Sequence, residues 1–186
     1  MHEREISRLC RKNDIKARRE LYERYAGYLL GICVRYLSDK QTAEDVMHDG
    51  FIKIFSSFDK FEWRGEGSLK AWLSRVMANQ ALEWIRKHKK MEMNEGEEVL
   101  GKIEEPLAAE VEQIPQQVIM RFIQELPEGY RVVFNMFVIE EKSHREIAEE
   151  LGIKEKSSSS QLLRARRILA EKINKYCKEN GIEISR

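Results

Sequence analysis

The sequence contains few of the residues that interrupt helices or cross-link a chain. Its 186 residues include three prolines, ten glycines and three cysteines. Cys10, Cys33 and Cys177 are odd in number, lie far apart and form no C-x-x-C motif. This spacing argues against a disulfide framework and against a zinc site. We therefore predict three reduced thiols.

Long apolar runs are also missing. No segment approaches the roughly 20 consecutive apolar residues that span a bilayer, and the opening MHEREISRLCRKND has no apolar core of the kind found in signal peptides. We expect a cytoplasmic protein with no membrane insertion.

The motifs of the common enzyme classes are absent as well. There is no H-E-x-x-H, no Walker loop and no nucleophile elbow. His144 and Glu146 match the H-x-E of zinc deaminases, but the P-C-x-x-C partner is missing. Gly65 and Gly67 lack the third glycine of a dinucleotide fingerprint. We predict no catalytic residues, no metal and no cofactor, and hence a protein that is not an enzyme.

The residues that are abundant favour helices. Glu, Lys, Arg, Leu, Ile and Ala predominate, and no run alternates apolar and polar residues for the length of a strand. We predict an all-α protein with helices over about 3–11 and 15–37. Asn13 or Asp14 is expected to cap the second helix, Ser38-Asp39 the third, and Ser68 the fourth.

Charge is segregated along the chain, although the net charge is only +1. Residues 1–90 carry 19 Lys and Arg against 13 Asp and Glu, residues 91–115 carry 1 against 8, and residues 116–186 carry 13 against 11. The middle segment is also short of apolar periodicity, which is typical of a flexible, self-repelling linker. We predict two basic domains, 1–90 and 116–186, that contact nucleic acid separately.

Residues 143–169 have the pattern of a helix-turn-helix. Ser143 and Glu146 form an S-x-x-E capping box, and Gly152 provides a left-handed end to the short first helix. The second helix carries basic residues on its outer faces, and a basic second helix suits the major groove. The alternative is a helical hairpin whose charges are merely solvated. The positions predicted to point inward are Leu162, Leu163, Ala165, Ile168 and Leu169.

Two further groups of residues suggest binding surfaces in the first domain. Glu44, Asp45, His48 and Asp49 share the outer face of one helix, which indicates either a basic protein partner or a solvated acidic face. Farther on, aromatic residues are interleaved with basic ones beside Gly65 and Gly67, as single-stranded nucleic acid requires. We assign Trp72 and Trp84 to packing and propose contact roles for Phe61, Trp63 and Arg64. The cationic block at 86–90 suits phosphates or is a solvated charge run.

Taken together, these segments resemble the extracytoplasmic-function (ECF) sigma factors of bacterial RNA polymerase. LYERYAGYLLGICVRYLSDKQTAEDVMHDGFIKIF and the following GEGSLKAWLSRVMANQALEWIRK are similar to region two of that family. LPEGYRVVFNMFVIEEKSHREIAEELGI and LLRARRIL are similar to region four. The resemblance implies a region-two helical bundle over 1–90, an acidic linker over 91–115 and a region-four helix-turn-helix domain over 116–186.

The resemblance also implies partners and residue roles. Core RNA polymerase would be bound through the clamp helices of its largest subunit and through its flap, and an anti-sigma factor would control the protein. The polymerase-binding residues would be Glu44, Asp45, His48, Asp49 and Ile52. The minus-ten DNA residues would be Phe61, Trp63, Arg64, Ser68, Lys70, Arg75, Asn79, Arg86 and Lys87. The minus-thirty-five DNA residues would be Arg145, Lys154, Lys156, Ser157, Ser158, Ser159, Ser160, Gln161 and Arg164.

One segment departs from the family pattern. Where the family commonly has a Thr-Val-Lys-Ser-Arg-like run, this chain has Ser157 to Gln161, so two basic positions are lost. We expect fewer bidentate guanine contacts and more reliance on phosphates and DNA shape. Two other functions remain open from the sequence. One is a free-standing helix-turn-helix regulator whose first domain senses a signal or dimerises, and the other is a helical adaptor without a DNA role.

Overall fold

A computed structural model describes residues 1–88 and 111–182, and every regular element in those ranges is helical, which confirms the predicted all-α class. The helices of the first part are α1 (Glu3–Arg11), α2 (Ile15–Leu37), α3 (Lys40–Ser56), a 3₁₀ turn (Phe58–Lys60) and α4 (Ser68–His88). Those of the second part are α5 (Gln116–Gln124), α6 (Glu128–Phe134) with a π-helical extension (Asn135–Ile139), α7 (His144–Leu151) and α8 (Glu155–Glu179).

The chain forms two compact units, Met1–Lys90 and Met91–Arg186. In the first unit, α2, α3 and α4 pack on one another, and α1 packs mainly on α2. Gly50 of α3 allows a close approach to α4, because a Cβ at this position would lie 2.5 Å from the Met77 sulfur. On the inner face of α1, the side chains of Ile6 and Cys10 are buried.

Side-chain caps begin two of the long helices. An oxygen of Asp14 accepts the Ala17 N–H at 2.9 Å, and one of Asp39 accepts the Thr42 N–H at 2.8 Å. Each cap satisfies a backbone donor that has no partner inside its helix. The structure therefore confirms the predicted starts of α2 and α3.

The second unit is built around a buried arginine and an apolar cluster. Arg131 is 4% exposed and donates to the carbonyls of Gln124 and Leu126 at 3.1 and 2.7 Å. Burial lowers the pKa of the Arg131 guanidinium, and both carbonyls accept hydrogen bonds from its Nη1. The bonds tie α6 to the end of α5. The apolar cluster contains Ile114, Phe122, Ile123, Leu126, Ala165, Leu169, Ile173 and Cys177.

Residues 91–110 of the predicted acidic linker lie outside the described part of the chain. Its last five residues are described, and two of them are packed against the second unit. Ile114 is 5% exposed in the apolar cluster, and Val111 packs against it. The folded second unit therefore reaches back at least to Val111, ahead of the predicted start at residue 116.

Cys10, Cys33 and Cys177 are buried thiols outside any disulfide, as predicted. Burial raises the pKa of the Cys10 thiol to about 11 and that of Cys33 to about 12. Since the thiolate is the reactive species, the raised pKa values leave Cys10 and Cys33 unreactive at neutral pH. We therefore assign these two side chains to packing. Among the helices that the structure describes, none is long and apolar enough to cross a membrane.

The turn between α7 and α8 depends on a left-handed residue. Gly152 has φ 68° and ψ 35°, and its N–H bonds the Ala148 carbonyl. Ser143 and Glu146 cap the start of α7 with the predicted reciprocal capping box. The helix-turn-helix is confirmed as a structure, with one exception. Leu163, predicted to point inward, is 52% exposed, because the core-facing side of α8 around it is formed by Ser158, Gln161, Leu162, Ala165 and Leu169.

Replacing Gly152 with Ala is expected to destabilise the second unit by about 1 to 2 kcal/mol, because a Cβ is unfavourable in the left-handed region. Chemical denaturation of the full chain measures the loss, and hydrogen exchange should locate it in α7. Gly27→Ala is the control, since Gly27 lies in α2 with nothing within 4 Å of an added Cβ. A loss of stability in Gly27→Ala equal to that in Gly152→Ala would contradict this account.

Candidate nucleic-acid interface

The loop between the 3₁₀ turn and α4 is anchored by buried aromatic rings. The ring centroids of Phe58 and Phe61 lie 5.1 and 5.2 Å from that of Trp72. Phe61 is 2% exposed. The sequence suggested that Phe61 contacts a base, but in this structure its ring has no free face on which a base could stack. Phe61 instead holds the start of the loop against α4.

The outer part of the loop carries the accessible groups. Trp63 is half-buried and Arg64 is exposed, with the Arg64 guanidinium 3.2 Å from the Glu62 carboxylate. Gly65 and Gly67 have φ of 118° and 80°, values that suit glycine. A tight backbone bend therefore presents one aromatic and one cationic side chain together.

Ser68 stabilises the loop rather than capping α4. Its hydroxyl donates to the Gly65 carbonyl at 2.6 Å and lies 3.3 Å from the Arg64 N–H. Both bonds stay within the loop. The predicted cap is therefore wrong, since these local bonds engage the Ser68 oxygen.

The predicted DNA-contacting residues of α4 do not share one face. Arg75, Asn79 and Arg86 are exposed and follow at four- and seven-residue spacing, which places them on one side of the helix. Lys70 is exposed on another side, with its ammonium 4.4 Å from the centroid of the Tyr28 ring on α2. The structure thus groups Arg75, Asn79 and Arg86 and sets Lys70 apart.

Glu83 is a charged member of this region that the sequence did not suggest. Its carboxylate lies 2.8 Å from the Lys87 ammonium and 3.0 Å from that of Lys53 on α3. Hydrogen bonds from Lys87 and then Lys53 lower the pKa of Glu83 to about 2. The spacing of Glu83 and Lys87 was visible as an i,i+4 pair, but the contact with Lys53 arises only from the packing of α3 on α4.

The acidic face of α3 is exposed as predicted. Glu44 is half-buried and 3.7 Å from the Lys40 ammonium, while Asp45, His48 and Asp49 are exposed. Ile52, 68% exposed, extends the same face with an apolar side chain. A face with three carboxylates around an exposed isoleucine suits a protein partner with basic and apolar groups.

In the second unit, the serine-rich entry of α8 is only partly accessible. Ser158 is fully buried, and its hydroxyl lies 3.0 Å from Nδ1 of His144 at the start of α7. Gln161 is 5% exposed. Helix α8 turns Ser158 and Gln161 toward α7 and α6. Neither side chain can reach DNA without leaving the core, so both residues, predicted as DNA contacts, are packing residues.

The remaining predicted DNA residues of this unit lie nearer the surface. Lys154, Lys156 and Ser159 are exposed, while Ser157 and Ser160 are half-buried. Arg164 is half-buried, with a guanidinium nitrogen 3.5 Å from the Tyr130 hydroxyl. Arg145 pairs with Glu149 at 3.2 Å on the exposed surface of α7. The outer side of α8 carries a row of residues at helical spacing: Lys156, Ser159, Ser160, Leu163 and Arg167.

The loop before α7 is held by a lysine between two carboxylates. Lys142 lies 3.0 Å from Glu140 and 2.8 Å from Glu150. Burial alone would lower the pKa of Lys142, but the hydrogen bonds to the two carboxylates outweigh it and raise that pKa. The ring of His144 stacks on Phe137 of the π-helical extension at 4.5 Å. These contacts set the position of α7 against α6.

Both halves of the chain match models of one protein family. Residues 21–91 match "Sigma-70 region 2", and residues 116–169 match "Sigma-70, region 4". The ECF RNA polymerase sigma factor SigM of Bacillus subtilis is 25% identical over 158 residues, covering 84% of this chain and 94% of its own length. The RNA polymerase sigma-H factor of Pseudomonas aeruginosa is 26% identical over 179 residues, covering 90% and 92%.

A solved structure supports the fold. The match is to the co-crystal structure of the sigma factor RpoE in complex with the anti-sigma factor NepR from Bartonella quintana, with 20% identity and a TM-score of 0.50. It covers 86% of this chain and 98% of that chain. The two helical units and their two matched regions define a sigma-70-type protein. Within that class, the chain belongs to the ECF sigma factors of bacterial RNA polymerase, and this family acts in transcription initiation.

Replacing both Lys53 and Lys87 with Gln is expected to raise the pKa of Glu83 from about 2 toward the usual Glu value of about 4.3. In the wild type, the stabilisation from the ionised Glu83 is fully present above the usual value and is lost as pH falls toward 2. Carboxyl NMR titration of the full chain measures the midpoint. An unchanged midpoint in the double variant would show that the lysines are not its cause.

Proposed function

We propose that the protein is a dissociable, non-enzymatic subunit that recruits core RNA polymerase to promoters in the cytoplasm and helps to open the DNA. Two features of the first unit together carry this proposal. One is the exposed acidic face on α3, and the other is the loop with two positive-φ glycines that presents Trp63 and Arg64. Few single-function binding modules need both surfaces, whereas a factor that joins polymerase to melted DNA needs each of them.

We assign docking on the polymerase clamp helices to the face formed by Glu44, Asp45, His48, Asp49 and Ile52. Its exposed carboxylates complement a basic partner, and the exposed Ile52 side chain supplies apolar area that complex formation would remove from water. We further assign contacts with the polymerase flap to the second unit, as the family resemblance implies.

We assign the minus-ten element to the loop and to the outer face of α4. Trp63 and Arg64 would stack on and hold a flipped base, because a few kcal/mol of unstacking can be offset by stacking and hydrogen bonds in a protein pocket. Arg75, Asn79 and Arg86 would contact the duplex and its phosphates. Phe61 and Ser68 would support the loop from within, which fits their buried ring and internal hydrogen bonds.

We assign the minus-thirty-five element to α8. The exposed row that runs from Lys156 through Ser159 to Leu163 would face the major groove, with Lys154 and Arg145 near the phosphates. A leucine on this face suits the methyl group of thymine. With two basic positions of the usual run replaced, base readout would depend on few direct contacts. An anti-sigma factor is the partner that we propose for control of the protein.

Transcription by core polymerase on a promoter library, with and without the purified full-length protein, tests this function. The protein should direct initiation from a small subset of templates, and the selected sequences should share two elements. Initiation independent of added protein would contradict the proposal. Binding of a pseudo-palindromic duplex by a dimer without polymerase would instead support the free-standing regulator.

Asp45→Arg is expected to abolish binding to core polymerase without unfolding the protein, because it places a cation in an exposed acidic face. A pull-down with core polymerase measures the binding, and circular dichroism checks the fold. Asp59→Arg is the matched control, since Asp59 is an exposed acid of the same unit that lies outside the α3 face. Equal losses in the two variants, or no loss in Asp45→Arg, would count against this docking surface.

The double variant Trp63→Ala with Arg64→Ala is expected to slow promoter opening more than the initial recruitment of polymerase. The reason is that stacking and phosphate contacts with a melted strand form only after strand separation. Permanganate footprinting follows opening, and gel shift follows recruitment. Ile15→Ala with Arg19→Ala, another exposed apolar and arginine pair, should match the wild type. Wild-type footprints in the Trp63 variant would remove this role of the loop.

A further inference from the structure

An apolar strip runs along the surface where α2 and α3 meet, outside the core of the first unit. The ring centroids of Tyr22 on α2 and Phe51 on α3 lie 4.6 Å apart, and the Arg18 guanidinium lies 5.1 Å from the centroid of the Phe55 ring. An earlier residue of α2 therefore contacts a later residue of α3, so the two helices run antiparallel. The start of α2 lies beside the end of α3, and the helices share one outer surface.

This surface carries the two most exposed large apolar side chains in the described part of the chain. Ile15 is 82% exposed and Ile52 is 68% exposed. Ile15 lies one helical turn before Arg18, and Ile52 lies one turn before Phe55. The rings of Tyr22 and Phe55 are half-buried beside them. Two exposed isoleucines next to two half-buried rings form a patch rather than scattered single residues, and a patch of this kind marks an interaction surface.

Opposite charges lie at the two ends of the patch. Lys16 and Arg19 are exposed near the start of α2, whereas Glu44 is half-buried and Asp45 is exposed near the start of α3. Because the helices are antiparallel, these two starts lie at opposite ends of the shared surface. The ion pairs that Arg19 and Glu44 form within their own helices are solvent-exposed and therefore weak. Among the residues that the structure describes, Lys16 and Asp45 have no ion-pair partner.

The whole surface is thus cationic at one end, apolar in its middle and acidic at the other end. We call it the α2–α3 face, and it is formed by Ile15, Lys16, Arg19, Glu44, Asp45 and Ile52. Nucleic acid would be repelled by the acidic end, and a uniformly basic protein would be repelled by the cationic end. Only a partner with the reverse order of charges matches both ends.

A second copy of this chain is such a partner. A twofold axis through the middle of the α2–α3 face turns the second copy end for end, so the cations of each copy meet the carboxylates of the other. Each charged contact then occurs twice, and the apolar side chains of both copies meet near the axis, where complex formation removes them from water.

We propose that the free protein forms a symmetric dimer through the α2–α3 face, and that this dimer covers the surface assigned to polymerase docking. Glu44, Asp45 and Ile52 belong to both surfaces, so one copy cannot use them for both partners at once. The dimer stands on the geometry of the first unit, and only the competition with polymerase rests on the proposed function. Since the polymerase-bound protein is a monomer, Ile15 and Arg19 take no part in promoter opening.

The test follows the full-length protein, without DNA or polymerase, by sedimentation velocity. The protein concentration runs from about 1 to 100 µM, where weak, transient assemblies form and dissociate. One variant, Lys16→Glu with Arg19→Glu, reverses the cationic end of the α2–α3 face. A second variant, Glu44→Lys with Asp45→Lys, reverses the acidic end. Circular dichroism checks that each variant is folded.

The wild type is expected to show a monomer–dimer equilibrium, and so is the control variant Lys175→Glu with Lys178→Glu, which reverses two exposed lysines of the second unit. Each variant with a reversed end should lose about tenfold or more in dimer affinity, because like charges then meet in both contacts. An equimolar mixture of the two reversed variants should regain the dimer, because both contacts of the mixed dimer again pair opposite charges.

A wild type that stays monomeric over the whole concentration range would overturn the dimer. The same holds for a mixture that fails to associate and for a control that dissociates as the reversed variants do. Assembly beyond two copies would overturn the twofold arrangement in favour of a head-to-tail contact. Core polymerase added to the wild-type dimer should give a complex with one copy, and a complex that keeps two copies would overturn the shared use of the face. Dimerisation without any binding to polymerase would support the dimer and contradict the proposed function.

Discussion

The buried contact of Phe58 and Phe61 with Trp72 is the interaction on which the first unit's binding surfaces depend. Burying a phenylalanine side chain contributes about 1.5–3 kcal/mol, and here two such rings fix the start of a loop whose remaining residues, apart from Trp63, are charged or glycine. Arg11 adds hydrogen bonds to the carbonyls of the same two residues. Trp72 of α4 and Arg11 of α1 both hold the start of the loop. Because of these two anchors, Trp63 and Arg64 can face outward without the loop collapsing onto α4. The anchor thus positions the proposed base site.

Several helix faces of the first unit carry charges of predominantly one sign. Carboxylates cover the outer face of α3, while cations lie on α1 and on the outer face of α4. Where the two signs meet, Glu83 binds Lys53 and Lys87 at hydrogen-bond distance. Separation of this kind lets a small domain attract a basic protein surface and a nucleic acid at once, since each partner meets a field of the opposite sign. Glu83 partly neutralises Lys53 and Lys87 beside the outer face of α4. The cationic part of the proposed DNA surface is therefore smaller than the number of lysines in the sequence suggests.

In the second unit, packing explains one position of the serine run, Ser158. Ser158 is buried against His144, whose ring also stacks on Phe137, and a small hydroxyl residue at this position lets α7 and α8 pack closely while satisfying the imidazole. Lys142 holds the preceding loop between Glu140 and Glu150. Helix α8 is therefore positioned mainly by its contacts with α6 and α7. The exposed row of α8 contains Leu163 in place of a further cation, which agrees with readout that uses few charged base contacts.

Local patterns were sufficient to predict the helices, the helix-turn-helix and all the predicted caps except that at Ser68, because capping boxes, left-handed glycines and apolar periodicity act within a few residues of one another. Asp14, Asp39, Ser143 and Gly152 all have the roles that their neighbours imply. Matching segments of the sequence also pointed to the ECF sigma family. Only the tertiary structure decided which side chains are accessible. Phe61, Ser158 and Gln161 are buried and Leu163 is exposed, because burial depends on which helix packs over each position. The same holds for the contact of Glu83 with Lys53, since the two residues lie 30 positions apart in the sequence and no periodicity within one helix can reveal such a contact.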